Sequence, residues 1–284
     1  MDSLTLQSHA KINLTLRILG KRSDGFHEIN TQLCRIALSD TVVLSRARGQ
    51  TDSTLTCNDT AVPTDESNLA LRALRLFEGQ TGTRQSWQIH LEKRIPAGAG
   101  LGGGSSNAAT VLRALNQASG NPLSADDLRS LAAQIGSDVP FFLLDEPAAT
   151  GTGRGENVVP LSFPWRLPLV LVKPPFPIPT PWAYQRWADS RELNGVLYAS
   201  QLCPWGEMVN DLERPVFEKH LLLPTLKSKL LEFPDTMAAL MSGSGSTLFA
   251  VTRTSAAAEV LANQAREWCG PGAFVAATHT LATN

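Results

Sequence analysis

Apolar and polar residues alternate over parts of 4–19, with Leu14, Leu16 and Ile18 set against Thr15 and Arg17. A period of two marks a strand with one buried face. Gly20 and the Asp24-Gly25 pair signal turns after it. Thr41 to Leu44, Trp87 to Leu91, Leu169 to Lys173 and Thr247 to Thr252 read as further strands. Elsewhere the period lengthens to that of a helix. Leu69, Ala73, Leu76 and Phe77 share one face of a helix expected over 66–77, and Ala108, Val111, Leu112 and Leu115 one over 107–118. Asn121-Pro122 breaks the second. Ser124 and Asp127 then have the spacing of a capping box. They open a helix with Leu128, Leu131, Ala132 and Ile135 on its apolar face and Gly136 as its stop. An apolar run follows at 141–144, and residues 216–231 and 256–268 read as helices. Both element types occur in both halves without strict strand–helix alternation, which predicts an α+β chain. A proline-rich stretch over 160–168 marks a boundary, dividing the chain into domains at 1–163 and 164–284.

The segment before the helix at Asn107 is dense in glycine: Pro96-Ala97-Gly98-Ala99-Gly100-Leu101-Gly102-Gly103-Gly104-Ser105-Ser106. Glycines admit positive φ and let an anion approach the main chain. The helix that follows aims unpaired N–H groups and the positive end of its dipole at the same space. Together they form a phosphate cradle; the plainer alternative is a flexible turn. No lysine follows the glycines, so the Walker A pattern is absent. Gly98 to Gly103 fits the dinucleotide pattern, but that fold needs a second strand ending in an acidic residue, and here a second helix follows.

Composition narrows the class. Of 284 residues, 43% are hydrophobic and 18% charged, which excludes a disordered chain. Lys+Arg is 25 against Asp+Glu 26, so no basic excess points to nucleic acid. No apolar run reaches the ~20 residues of a membrane helix. Met1-Asp2-Ser3-Leu4 lacks the features of a signal peptide. Cys34, Cys57, Cys203 and Cys269 form no CxxC pair, so reduced thiols in a cytoplasm are expected. The five histidines have no metal-ligand spacing. Gly151 to Gly155 reads as a hairpin turn, with Arg154 near any cleft beside it.

Several blocks together resemble the GHMP kinases, which include galactokinase, homoserine kinase and mevalonate kinase. The glycine loop carries the broad resemblance. The run Ala10-Lys11-Ile12-Asn13-Leu14 and the block Gly20 to Glu28 narrow it, with Gly136 to Phe142, Asn210 to Glu213 and Ser242 to Thr247. They are similar to the branch that phosphorylates a cytidine-diphosphate-linked methylerythritol on the non-mevalonate route to isoprenoids. The resemblance implies an N-terminal domain like ribosomal protein S5 domain 2, an α+β C-terminal domain, and ATP and substrate in the cleft between them.

It also implies roles. Asp138 would accept the proton of the tertiary 2-hydroxyl, late in phosphoryl transfer because a carboxylate is a weak base beside an alcohol. Lys11 would hold Asp138 ionised and polarise that hydroxyl. Phe26 and Tyr184 would sandwich the cytosine, Phe26 standing where the family commonly has tyrosine. His27 would hydrogen-bond the base, and Asn13, Thr180 and Pro181 would contact substrate. Lys93 and Asn68 would line the nucleoside pocket, and 96–106 would cradle the ATP phosphates. Magnesium is expected with ATP, with Ser105 or Ser106 as a candidate ligand. The Gly243–Thr247 turn would support the glycine loop. Leu33 falls where some relatives have an aromatic near the substrate. Taken singly, these residues also fit plainer roles: Asp138 as a turn cap, Lys11 as a surface lysine, Phe26 and Tyr184 as core aromatics. A GHMP kinase for another alcohol and a catalytically silent nucleotide binder are the rival functions. The aromatic pair argues against the first, and the joint presence of Lys11 and Asp138 against the second. The expected partner is a small-molecule cytidyl substrate, with no nucleic acid or membrane, and the chain a monomer or weak homodimer.

Overall fold

The computed structural model describes residues 3–47, 52–83 and 85–283. Met1 and Asp2, half of the N-terminal run read above, lie outside the described residues. The chain opens with two long antiparallel strands, β1 (Ser3–Lys21) and β2 (His27–Arg46), followed by β3 (Thr54–Cys57), α1 (Leu69–Thr81) and β4 (Trp87–Glu92). Three helices come next, α2 (Gly103–Ala118), α3 (Ala125–Ile135) and α4 (Val139–Leu143), then the hairpin β5 (Ala148–Thr152) and β6 (Asn157–Pro160). The second half runs β7 (Pro168–Lys173), α5 (Thr180–Arg186), β8 (Gln201–Cys203), β9 (Gly206–Asn210), α6 (Glu213–Lys219) and α7 (Leu222–Glu232). It closes with β10 (Thr236–Met241), β11 (Leu248–Thr252), α8 (Ser255–Cys269) and β12 (Phe274–His279).

Eight strands form one sheet in the order β3-β4-β2-β1-β9-β8, with β5 and β6 added beside β2. Four form the other, in the order β10-β11-β7-β12, all antiparallel. The α+β expectation therefore holds. The larger sheet draws its last two strands from 201–210, so the chain crosses back after building β7.

Three apolar cores follow from side-chain alternation. Helices α1 to α4 cover one face of β2 and β4, burying Phe77, Leu112, Leu115 and Phe141. Helices α6 to α8 cover the outer face of the small sheet. The third core lies between the sheets, where Ile12, Leu14 and Ile36 meet Leu169, Leu171, Phe249 and Val251. This explains the unbroken apolar run in β7: Leu169 and Leu171 face the larger sheet, and Val170 and Val172 face the helices.

The capping box before α3 forms as read, Ser124 accepting from Asp127 N and Asp127 from Ser124 N. Gly136 ends that helix, but with an extended backbone, φ 178°, rather than a left-handed one. Other boundaries move. The helix read over 66–77 begins after Asn68, which caps it. The one read over 107–118 starts at Gly103, so Gly103 and Gly104 are helical rather than loop residues. The single helix read over 216–231 is two, parted at His220 and Leu221. Pro224 lacks an N–H and suits the first turn of α7, not a helix interior.

Candidate active site

The register of β1 against β2 shifts between His9 and Lys11 and again between Asn13 and Thr15. Such irregularities re-aim side chains. Between them Lys11 and Asn13 project into a cleft of about 790 Å³ that both halves of the chain line. The Lys11 ammonium donates to Asn13 Oδ1 at 2.8 Å and stands 3.3 Å from Asp138 Oδ2. The lysine side chain is 4% exposed and the aspartate 35%, so the carboxylate is the member open to a ligand. Asp138 precedes α4 at its cap position, yet its side chain accepts no capping hydrogen bond.

The glycine loop lies along the same cleft. Gly98, Gly100 and Gly102 have positive φ. At Gly100 the requirement is double, because a Cβ there would stand 2.2 Å from Ser242 O. Ser242 Oγ donates to Gly100 O at 3.0 Å, and Thr247 N to Ala99 O at 3.3 Å. The turn at 242–247 thus supports the loop. On the other side Lys11 N donates to Leu101 O at 2.9 Å. Gly103 is needed for packing, since a Cβ would lie 2.9 Å from Ile95 Cγ2. Pro96 to Ser105 all border the cleft. Ser106 does not; it is buried, and its hydroxyl accepts from Ser8 at 2.8 Å.

Lys93 and Asn68 border the cleft with their polar groups already engaged. The Lys93 ammonium pairs with Asp40 and donates to Asn107 Oδ1 at 3.0 Å. Asp40, wholly buried, also accepts from Arg94 N at 2.7 Å, Ile95 N at 2.8 Å and Asn107 Nδ2 at 3.0 Å. Asn68 caps α1 by accepting from Ala70 N and donates to Pro63 O at 2.7 Å.

At the far end, His27 stacks on Tyr184 with centroids 5.4 Å apart and sets its edge towards Trp187. Burial, helped by the charge of Lys21, lowers the His27 pKa and keeps the ring neutral. Burial, and then the charge of Asp138, raises that of Tyr184. Phe26 is half exposed, with the Arg154 guanidinium 4.8 Å from its ring centroid. Arg154 sits on the turn of the β5–β6 hairpin, as read, and borders the cleft. The Thr180 and Ser244 hydroxyls lie 2.7 Å apart, with Pro181 beside them. Leu33 belongs to the helical core, not to the cleft.

Sequence reasoning missed Asp40, Thr31 and Asn210. Asp40 is a lone acid within a strand, and only its distant partners reveal it. Thr31 accepts from Asn13 Nδ2 at 2.8 Å. Asn210 donates to Met241 O at 2.7 Å and Gly243 O at 2.8 Å, bracing the 242–247 turn. Its place in the Asn210–Glu213 block was a signal, without a role attached. Among the described residues no group of three His, Cys, Asp or Glu side chains could hold a metal ion, and no helix is long and apolar enough to cross a membrane.

Known proteins share this chain's sequence and fold. Residues 68–146 match the GHMP kinase N-terminal domain and 196–270 the GHMP kinase C-terminal domain. The chain is 43% identical over 269 residues to a 4-diphosphocytidyl-2-C-methyl-D-erythritol kinase of Methylacidiphilum infernorum, covering 94% of this chain and 93% of that one. It is 43% identical over 254 residues to one of Protochlamydia amoebophila, covering 88% and 85%. A crystal structure of 4-(cytidine 5'-diphospho)-2C-methyl-D-erythritol kinase superposes with a TM-score of 0.80 at 32% identity, over 98% of this chain and 100% of that one. A homoserine kinase from Cytophaga hutchinsonii, at TM-score 0.70 and 17% identity, shares the fold alone. With more than four residues in ten shared over nearly its whole length and both family domains matched, the chain belongs to the 4-diphosphocytidyl-2-C-methyl-D-erythritol kinases, within the GHMP kinases.

Proposed function

We propose that this cleft transfers the γ-phosphoryl group of ATP to the 2-hydroxyl of 4-diphosphocytidyl-2-C-methyl-D-erythritol, a step of the non-mevalonate route to isoprenoid precursors, with Lys11 and Asp138 as its catalytic pair. The observation that carries this reading is their 3.3 Å approach beside the glycine loop. Asp138 accepts the hydroxyl proton as the new oxygen–phosphorus bond forms and ADP departs. Lys11, held by Asn13 and Asp138, has one N–H left to stabilise charge on the transferring group.

The triphosphate rests on the main chain between Gly98 and Ser105, where the first turn of α2 leaves N–H groups without helical partners. Lys93 acts there from behind the loop, and Asn68 shapes the nucleoside wall as a cap rather than as a free hydrogen-bonding group. Phe26 and Tyr184 take the faces of the cytosine, and neutral His27 meets its edge. Arg154 leaves the Phe26 ring as the base arrives. Thr180, Pro181 and Asn13 contact the remainder of the substrate.

Magnesium, when bound, would offset the charge of the ATP phosphates, with Ser105 as the side chain that would hold it. The donor set fits an ion carried mainly by phosphates and water: no carboxylate cage exists among the described residues, and Ser105 supplies a single hydroxyl on the cleft side. The same reading divides the chain at 163/164 and takes the protein as a cytoplasmic monomer or weak homodimer, without nucleic-acid or membrane partners.

The test is ADP release from ATP, with and without the cytidyl substrate, for wild type and Asp138→Asn. Release depends on that substrate in the wild type and falls by at least ~100-fold in the variant, the size expected on losing a general base. Equal rates in the two proteins would remove Asp138 from its role.

A further inference from the structure

Asn13 stands between two neighbours, and the hydrogen-bonding role of one is fixed by its own surroundings. Thr31 Oγ1 donates to Thr15 O at 2.6 Å. A hydroxyl has one proton to give. Towards Asn13, 2.8 Å away, Thr31 therefore acts as acceptor. That places the amide nitrogen of Asn13 on the Thr31 side and its oxygen on the Lys11 side, where it accepts from the ammonium at 2.8 Å. From there the ammonium reaches Asp138. Each donor from Lys11 through Asn13 and Thr31 points the same way, and the row ends on a main-chain carbonyl of β1.

We infer that Thr31 is a positioning residue for phosphoryl transfer: by accepting from Asn13 it fixes which face of that amide meets Lys11, and so keeps the ammonium aimed at Asp138. Without the acceptor, the Asn13 amide keeps only the bond from Lys11 to hold its present orientation, and its own N–H group is left buried and unmatched. Turned over, it sets N–H groups against an ammonium, and two donors facing each other push the lysine off its line. The surroundings of Thr31 are shaped for this residue. It is 2% exposed, and it pairs across the sheet with Gly151. A Cβ at Gly151 would stand 3.1 Å from the Thr31 methyl, so β5 leaves room there. Thr31 also borders the cleft, but its hydroxyl is spent on Asn13 and Thr15 O, and it reaches Lys11 by way of Asn13.

This inference rests on the reading of Lys11 and Asp138 above, and its test separates the two. Thr31→Val keeps the shape and removes the hydroxyl; Thr31→Ser keeps the hydroxyl. Each is assayed for kcat and for KM of both substrates beside Asp138→Asn, with thermal melts as the folding control. Misdirecting one hydrogen-bonded group lowers kcat by about tenfold in Thr31→Val, with the KM for ATP within about threefold of wild type. Thr31→Ser stays within about threefold on all parameters. Should the valine protein not fold, Thr31→Ala takes its place with the same expectation. Wild-type kcat in the valine or alanine protein, equal losses in kcat and ATP KM, or a serine protein as impaired as the valine one each overturns the assignment of Thr31. Full activity in Asp138→Asn instead removes the reading beneath it.

Discussion

Lys93 and Asp40 are paired behind the first turn of α2, the lysine side chain 7% exposed and the carboxylate wholly buried. The carboxylate also accepts two main-chain N–H groups and the Asn107 amide, so each of its oxygens has two partners. A pair of this kind does not add much over a well-packed apolar substitute, but losing one member leaves a buried charge with little to face. Asp40→Ala is therefore expected to lose ~3–5 kcal/mol in urea unfolding. The ATP KM rises with it, because Asn107 and the Arg94-Ile95 main chain lose their common anchor. Replacing both members by apolar residues recovers only part of the stability, because the Arg94 and Ile95 N–H groups and the Asn107 amide stay unmatched. A single variant as stable as wild type would show that the pair carries no weight.

Gly100 and Gly25 separate two costs of adding a methyl group. Both have positive φ, 75° and 87°. A Cβ on Gly25 meets nothing within 4 Å, whereas one on Gly100 lies 2.2 Å from a main-chain oxygen of the 242–247 turn. Gly25→Ala should cost about 1 kcal/mol, the strain of the backbone alone. Gly100→Ala should cost well over ~2 kcal/mol, since backbone must also move. Calorimetric titration with ATP should show binding preserved in the first and lost in the second. Equal losses in the two proteins would mean that the contact with Ser242 is unimportant.

The histidines set the response to acid. His9, His27, His220 and His279 all have pKa values lowered from 6.5, with burial the first cause in each. Just below pH 6.5 the unfolded chain therefore binds more protons than the native one, and stability falls as pH falls through that range. His9 also faces the charge of Arg35, which acts in the same direction. Buried Glu213, whose carboxyl is pushed up by desolvation, works the other way. The urea midpoint is expected to be lower at pH 5.5 than at pH 7.5, and His9→Leu to flatten the difference. A midpoint that rises on acidification would show that Glu213 outweighs the imidazoles.

Local patterns reveal the parts of this fold that are locally determined. The capping box at Ser124 and Asp127 and the apolar faces of α2, α3 and α8 need only nearby residues to be recognised. Most of β2 escaped, although Leu33 and Ile36 are buried within it, because the register shifts opposite His9–Lys11 and Asn13–Thr15 interrupt the period of two. Strands β10 and β12 escaped for another reason: each is built on short Ala- and Thr-containing runs whose burial depends on partners far along the chain. Within the cleft, Lys11, Asn13, Asp138 and Tyr184 were found by likeness to a family, for no spacing in the chain predicts that they meet. Asp40 and Thr31 had no such pointer, and each is defined by hydrogen bonds to residues outside its own strand segment.

The returning strand β9 has a mechanical consequence. It runs parallel to β1, with Val209 and Asn210 opposite Thr15 and Leu16. Asp211 then accepts from Ile18 N, while Asn210 and Glu213 grip Met241 at the end of β10 and Gly243 in the turn after it. Asn210, Asp211 and Glu213 thus tie the larger sheet to the smaller one beside the cleft. Swinging one half away like a jaw would tear that seam, at the cost of several buried hydrogen bonds. Traffic in and out is left to the rim, where the Arg154 guanidinium lies over Phe26 and, on the proposed reading, is what an incoming nucleobase displaces.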